Sequence, residues 1–244
     1  MQQIFLNQSP ADGMFFIDGE DAHHLGKVVR IKAGEKIRVS TAAEENFICE
    51  IENVSDSSIS ARVLEEAAGT ELDGRIYLYQ ALPKGDRMET VIEKCVELGV
   101  YEIIPVEMDN CVVKLDDKKK ASKLKRYQTI ADTAAKQSKR SIQPVVAEVM
   151  NFKMAVEDAK SKADVLLFPY ECANGMEATI EALESISKDS KIAIFVGPEG
   201  GFSTKEATMA QECMKVISLG KRILRTDTAA IHSVGLVMNR MECL

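Results

Sequence analysis

The sequence predicts an α/β protein: a parallel sheet covered by helices on both faces, preceded by a small all-β domain. Three observations carry this. From residue 76 onward, short apolar runs alternate with amphipathic stretches, the rhythm of stacked β-α units. Before residue 70 the runs are short, rich in Ile, Val and Phe, and separated by turn residues. Two glycine-bearing segments, GPEGGFS at 197–203 and LGKRILRTDTAA at 219–230, each follow a buried-strand pattern and lead into a helical one.

In chain order, strands are expected at 14–18, 36–41, 46–54 and 58–66, with turns at Ala33-Gly34 and Ser55-Asp56-Ser57. Residues 20–29 read as a helix. Five or six short strands closing on themselves suggest a small barrel. Residues 67–70 read as a linker, so the first domain is expected over 1–69 and the second over 70–244. The second opens with a strand at 76–82. Gly85-Asp86 introduces a helix whose Met88, Val91, Ile92, Cys95 and Val96 follow the i, i+3, i+4, i+7, i+8 template, and Gly99 stops it. Further strands are expected at 103–106, 164–168, 191–196 and 216–219, and a long basic helix at 121–137. Ser203 with Glu206 is a capping-box signature.

Composition sets the class. Of 244 residues, 45% are hydrophobic and 28% charged, the profile of a soluble globular protein. No apolar run is long enough to span a bilayer. The first residues lack the basic and apolar regions of a signal peptide, so a cytoplasmic location is expected. Cys49, Cys95, Cys111, Cys172, Cys213 and Cys243 form no C-x-x-C pair and mostly lie in apolar patterns, which suggests reduced, buried thiols rather than zinc. His23, His24 and His232 are too few and too scattered for a metal cluster, so no metal is expected. His23 and His24 read as packing residues.

The net charge of −7 argues against indiscriminate nucleic-acid binding. It is unevenly spread. Residues 114–140 hold ten Lys or Arg and three Asp, a local balance of +7 that leaves −14 for the rest. Such asymmetry fits a polyanion-binding face, or equally a solvated helix surface.

Ligands of open α/β sheets bind at the carboxyl ends of strands. The loops after Val196 and Leu219 stand at such ends, as does Pro169-Tyr170-Glu171, and three neighbouring ends would make one pocket. Glycines there would let a ligand approach the main chain, or simply make tight turns. G-x-G-x-x-G after the first strand, G-x-x-x-x-G-K-[ST] and G-x-S-x-G are all missing, which leaves dinucleotide, P-loop and hydrolase readings without support. Ser203 reads better as a helix cap than as the nucleophile of a pair with His232.

Residues 81–88 (ALPKGDRM) with 94–100 (KCVELGV), the segments GPEGGFS and LGKRILRTDTAA, and His23-His24-Leu25 with Val28-Val29-Arg30 resemble the bacterial 16S ribosomal RNA (uracil-N3)-methyltransferases of the SPOUT superfamily. The likeness runs in order over nearly the whole chain. It implies a PUA-like β-barrel for RNA and a homodimeric parallel-sheet domain that binds S-adenosylmethionine, its last segment threaded as a trefoil knot. Pattern reasoning alone would not give a knot. The resemblance places cofactor contacts at Leu167, Phe168, Pro169 and Glu171, then at Val196, Gly197, Glu199, Gly200 and Gly201, then at Leu219, Gly220, Ile223, Leu224, Arg225 and Thr226. The chain departs from the family at Asn110-Cys111 (commonly Arg-Ser), Lys136 (commonly an acid), Lys139 (commonly Gly) and Asp227 (commonly Glu).

The implied chemistry needs placement first and proton handling second, since positioning is worth about 7–11 kcal/mol and a general base about 10²–10⁴-fold. Arg225 is the candidate that stabilises charge on the uracil carbonyl oxygens. Glu199 is expected to orient the cofactor, accept a proton or cap the next helix. Asp227 would hold Arg225 or the helix start. Arg222 and Lys221 read as RNA-phosphate contacts or solvated side chains. Lys27, Arg30 and Lys32 would grip RNA backbone from the first domain. Lys118, Lys119, Lys120 and Lys123, with Gln137, Ser138 and Arg140, would face RNA from the second. Two other readings stay open: a different RNA methylation such as 2′-O transfer, and a non-enzymatic RNA-binding assembly factor.

Overall fold

A computed structural model describes residues 1–55, 57–171, 173 and 175–244. The turn residue Asp56 and the thiol of Cys172 lie outside the described residues. The chain divides into two compact units, 1–71 with 135–143 and 72–134 with 144–244. Sequence reading carries no sign that 135–143 leaves the second unit, because 135–138 are the last turn of a helix whose pattern runs on without a break.

The first unit holds β1 (Gln2–Leu6), β2 (Met14–Asp18), a short helix α1 (Gly19–His23), β3 (Lys36–Thr41), β4 (Asn46–Val54) and β5 (Ser58–Glu66). They form one five-stranded sheet in the order β1-β3-β4-β5-β2. β1 runs parallel to β3, and the other pairs are antiparallel. Alternation decides the faces: Phe15 and Ile17 are buried while Phe16 between them is 61% exposed. Ile4, Ile37, Val39, Cys49, Ile51 and Ile59 complete the core with Leu25.

Four of these strands keep the limits expected from sequence. β1 was not expected, because a parallel, non-local partner leaves no hairpin signal. The helix expected over 20–29 is α1 followed by a π-helical stretch, His24–Val29, that ends on Arg30 at φ 59°. His23 and His24 are exposed, which corrects their reading as packing residues; Ala22 and Leu25 take the core side.

The second unit holds β6 (Arg75–Ala81), α2 (Arg87–Glu97), β7 (Glu102–Glu107), α3 (Asp117–Ser138) as far as residue 134, β8 (Val145–Val146), β9 (Met150–Asn151), α4 (Phe152–Lys162), β10 (Val165–Pro169), α5 (Glu177–Glu184), β11 (Lys191–Val196), α6 (Thr204–Gln211), β12 (Lys215–Ile217) and α7 (Thr226–Glu242). The sheet runs β12-β10-β11-β6-β7-β8, with β9 also on β7, and every pair is parallel. Tyr79 of β6 stacks on Phe195 of β11 at 4.5 Å between ring centroids. The five apolar positions expected on α2 are all buried.

α3 starts four residues before the expected 121, because Asp116 Oδ1 accepts from the Lys119 N–H at 2.9 Å and satisfies an open end of the first turn. β12 stops at Ile217 rather than 219. There Ser218 leaves the ladder: its N–H donates to Thr179 Oγ1 at 2.8 Å, and its carbonyl accepts from the same hydroxyl at 3.1 Å. The Ser203–Glu206 capping box forms in both directions. Cys49, Cys95 and Cys111 are buried free thiols, but Cys213 is half-buried and Cys243 exposed, contrary to expectation.

Candidate functional site

β12, β10 and β11 are neighbours and parallel, so their carboxyl ends share one edge of the sheet. A cleft of about 360 Å³ opens there, within the range of about 300–1,000 Å³ usual for small-molecule sites. Of the residues expected to contact a cofactor, Pro169 and Glu171, Val196, Gly197, Glu199 and Gly201, and the run Leu219, Gly220, Ile223, Leu224, Arg225 and Thr226 line it. So do Tyr170, Pro198, Phe202, Ser218 and Ala229, along with Lys221 and Arg222.

Leu167, Phe168 and Gly200 do not line the cleft. Leu167 and Phe168 are fully buried. Phe168 supports the cleft from behind, stacked on Tyr170 at 5.0 Å and edge-on to Phe202 at 4.6 Å. Gly200 is glycine for an internal reason. A Cβ there would stand 3.2 Å from the Asn110 Cβ, whose side-chain amide donates to the Gly200 and Gly201 carbonyls at 3.2 and 3.1 Å. At Gly197 a Cβ would meet the Phe202 ring at 2.8 Å. Gly201 and Gly220 sit at φ +67° and +105°, the left-handed region. Packing and backbone conformation thus account for these glycines without a ligand.

What the cleft offers a ligand is open main chain. Apart from the Gly220 N–H, which donates to Ser218 Oγ at 3.2 Å, the N–H and C=O groups of residues 219–224 find no partner among the described residues. Apolar side chains of Val196, Leu219 and Leu224 stand beside them. A flat nucleobase with apolar faces and a hydrogen-bonding edge matches this lining. The side chains present thus fit the adenosyl part of S-adenosylmethionine.

Glu199 Oε1 accepts the Lys84 N–H at 3.0 Å and is also held by the Arg87 guanidinium. Burial alone would raise this carboxyl's pKa, but the Lys84 N–H, its own N–H and Arg87 outweigh burial and hold it below the ordinary value. A carboxylate held as an anion is a weak proton acceptor, so its geometry suits tethering the loop after β11 to the start of α2. Arg225 caps the start of α7 with its main chain only. Its side chain is exposed on the cleft, and no described carboxylate or carbonyl holds the guanidinium. Asp227 does not hold it either. That carboxylate lies in the first turn of α7, where the helix dipole favours it, and its Oδ1 is buried without a described donor. Ile223 projects at the cleft mouth, 88% exposed.

Among the cations, Lys27, Arg30, Lys32, Lys118, Lys119 and Arg222 are exposed. Lys119 pairs with Asp116 at 3.1 Å and Lys120 with Glu107 at 3.0 Å, while Lys123 sits 5.4 Å over the Tyr127 ring. The Lys118 ammonium has no described partner. Gln137 is exposed and Ser138 half-buried. Arg140 corrects its expected role as an RNA contact: it is 3% exposed and committed to Glu71 within the first unit. Gln80, fully buried, was missed; its only sequence signal is an amide in the apolar strand of β6.

The comparisons agree with this geometry. A family model described as RNA methyltransferase domain matches residues 70–238, and one described as RNA methyltransferase PUA domain matches 17–64. Ribosomal RNA small subunit methyltransferase E of Bacillus subtilis is 35% identical, covering 100% of this chain and 98% of its own. The protein of the same name from Mesomycoplasma hyopneumoniae is 32% identical, covering 95% and 96%. The crystal structure of a Ribosomal RNA small subunit methyltransferase E from Neisseria gonorrhoeae, bound to S-adenosyl methionine, has a TM-score of 0.84 at 27% identity, covering 98% of this chain and 97% of that one. With both domains matched, the chain belongs to the RNA methyltransferase family that carries a PUA domain ahead of its catalytic domain.

Proposed function

We propose that the protein methylates N3 of a uridine in 16S ribosomal RNA, with S-adenosylmethionine as cofactor. The observation that carries this reading is the cleft at the ends of β10, β11 and β12, lined by the main chain of residues 219–224, whose N–H and C=O groups, the Gly220 N–H apart, have no partner among the described residues. Family membership and the S-adenosyl methionine bound to a relative of the same fold support it.

The bound cofactor supplies an activated methyl group on a sulfonium. The protein's part is placement and charge. Residues 219–224 would hold the adenosyl part by main-chain hydrogen bonds, with Leu219, Leu224 and Val196 against its apolar faces. Glu171, on the cleft wall, would face the cofactor's cationic end. Arg225 would stand by the uracil carbonyl oxygens. As N3 loses its proton, negative charge would spread onto those oxygens, and a preorganised guanidinium with no competing carboxylate among the described residues would stabilise it. Glu199 keeps the first loop in place rather than taking the proton.

Exposed cations at Lys27, Arg30 and Lys32 in one unit, and at Lys118, Lys119 and Arg222 in the other, with the half-buried Lys120 and Lys123, would contact phosphates. Gln137 and Ser138 would add neutral contacts. We further propose a homodimer, a knotted path for the segment after β12, and a cytoplasmic location; no helix among the described residues is long and apolar enough to cross a membrane. The decisive experiment incubates small ribosomal subunits lacking the modification with isotopically labelled S-adenosylmethionine. Mass spectrometry then maps the modified nucleoside. N3-methyluridine is the expected product. A 2′-O-methylated nucleoside, or no incorporation, would overturn the reading.

A further inference from the structure

Gln80 lies on β6, outside the cleft and fully buried. Its Nε2 donates to the Ala81 carbonyl at 2.9 Å and to Thr226 Oγ1 at 2.9 Å. The carbonyl of Ala81 can only accept, so the atom facing it must be the amide nitrogen, and the amide's orientation is fixed by chemistry. That nitrogen also fills an acceptor site on the Thr226 hydroxyl. The hydroxyl's own proton is then free for one partner, the Gly197 carbonyl at 2.7 Å. The result is a one-way chain from Gln80 through Thr226 to Gly197.

Two members of this chain, Gly197 and Thr226, belong to different cleft walls. Gly197 opens the loop after β11, and Thr226 opens α7 at the close of the 219–225 segment. Gly197 is pinned on its other side by the Phe202 ring, which leaves no room for a side chain. Thr226 is only 5% exposed, and both hydrogen bonds of its hydroxyl are internal. It is thus a latch between walls rather than a group offered to a ligand. In a buried, low-dielectric setting such a chain reinforces itself.

We propose that Gln80 is a positioning residue, holding the two loops at the spacing the methyl donor requires by orienting the Thr226 hydroxyl toward Gly197. The proposal rests on the reading of the cleft as an S-adenosylmethionine site. It makes a demand that packing alone does not: the donor character of the Gln80 amide must matter, and it must act through Thr226.

The test is calorimetric titration of S-adenosylmethionine into full-length wild type, Gln80→Met, Thr226→Val, the double variant and Thr226→Ser, with steady-state kinetics on the same proteins. Gln80→Met keeps the volume and removes the donor. Affinity should fall about tenfold in Gln80→Met and in Thr226→Val, the scale of one buried hydrogen bond lost. The double variant should be no worse than the poorer single, the non-additivity expected of two members of one chain. Thr226→Ser, which keeps the hydroxyl, should recover most of the loss. KM for the donor should rise more than kcat falls. Wild-type affinity in Gln80→Met, or strictly additive losses, would overturn the proposal while leaving the function intact. If wild type itself binds no donor, the functional reading fails instead. Hydrogen exchange at 197–203 and 219–226 then tests the latch alone: faster exchange in both loops of Gln80→Met supports it, and unchanged exchange refutes it.

Discussion

Arg140 and Glu71, sixty-nine residues apart, form the most buried ion pair among the described residues. The guanidinium donates from Nε to both carboxylate oxygens at 2.9 Å and from Nη2 at 2.5 Å, and the Ser141 N–H adds a bond at 2.7 Å. The arginine side chain is 4% exposed and the glutamate 19%. Breaking a buried pair from one side leaves a charge without a partner, which costs about 3–5 kcal/mol. Glu71→Gln should therefore destabilise the first unit by about 3 kcal/mol. Urea unfolding followed by tryptophan-free probes such as far-ultraviolet circular dichroism measures this. A midpoint within error of wild type would show that the pair stabilises nothing.

The same pair shows where sequence reading stops. A basic residue at the end of a basic helix reads as an RNA contact until its partner is known, and that partner is remote in sequence. Local signals fared better. Ser203 and Glu206 announced their capping box, and the α2 face from Met88 to Val96 was legible because its period of 3.6 needs no distant information. The cleft's position followed from three strand ends, which topology brings to one edge. The reasons for its glycines did not. Gly197 and Gly200 make room for Phe202 and Asn110, contacts that only the folded chain reveals. β1 and Gln80 escaped for the same reason, since each acts through a non-local partner.

Glu199 gives a pH prediction with a definite sign. Its folded-state pKa is depressed below the ordinary carboxylate value, burial being outweighed by the Lys84 N–H and Arg87. A depressed acid stabilises the folded state fully above its unfolded value, near 4.3, and loses that contribution as pH falls through the folded value. Between about pH 5 and pH 3, wild type should lose stability more steeply than Glu199→Gln. Parallel curves from thermal melts across that window would remove the ion pair from the account.

For the basic run of α3, the structure separates the lysines. Lys119 and Lys120 already face Asp116 and Glu107, whereas the Lys118 ammonium has no described partner. Each phosphate contact contributes about 0.7–0.9 to the slope of log affinity against log salt. Replacing Lys118, Lys119, Lys120 and Lys123 together by Gln should weaken RNA binding and flatten that slope, with Lys118→Gln the most effective single change. An unaltered slope in the quadruple variant would make the run a solvated helix face.

Thiol reactivity tests the burial pattern without any ligand. Burial pushes the Cys49 thiol up to about 12 and raises Cys95 and Cys111 as well, so little thiolate is available there at neutral pH. Cys243 is exposed near the end of α7. Iodoacetamide at pH 8 should label Cys243 first, with Cys49, Cys95 and Cys111 protected until denaturant is added. Early labelling of Cys95, mapped by peptide mass spectrometry, would contradict the packing of α2.

Arg225 is the residue proposed to stabilise the developing charge, and its prediction separates binding from turnover. Its main chain caps α7 while its side chain stands exposed on the cleft with no described carboxylate to neutralise it. If the guanidinium stabilises charge only as the uracil loses its proton, its removal lowers the rate of transfer and spares the ground state. Arg225→Ala should slow single-turnover methyl transfer at least about tenfold, a loss of about 1.4 kcal/mol of transition-state stabilisation, with donor affinity changed little. Arg225→Lys should recover only part of the rate, because an ammonium cannot reach two oxygens with the planar fork of a guanidinium. Donor affinity that falls as far as the rate would instead place Arg225 among the groups that hold the cofactor, and unchanged turnover would leave the developing charge to another cation at the cleft, Lys221 or Arg222.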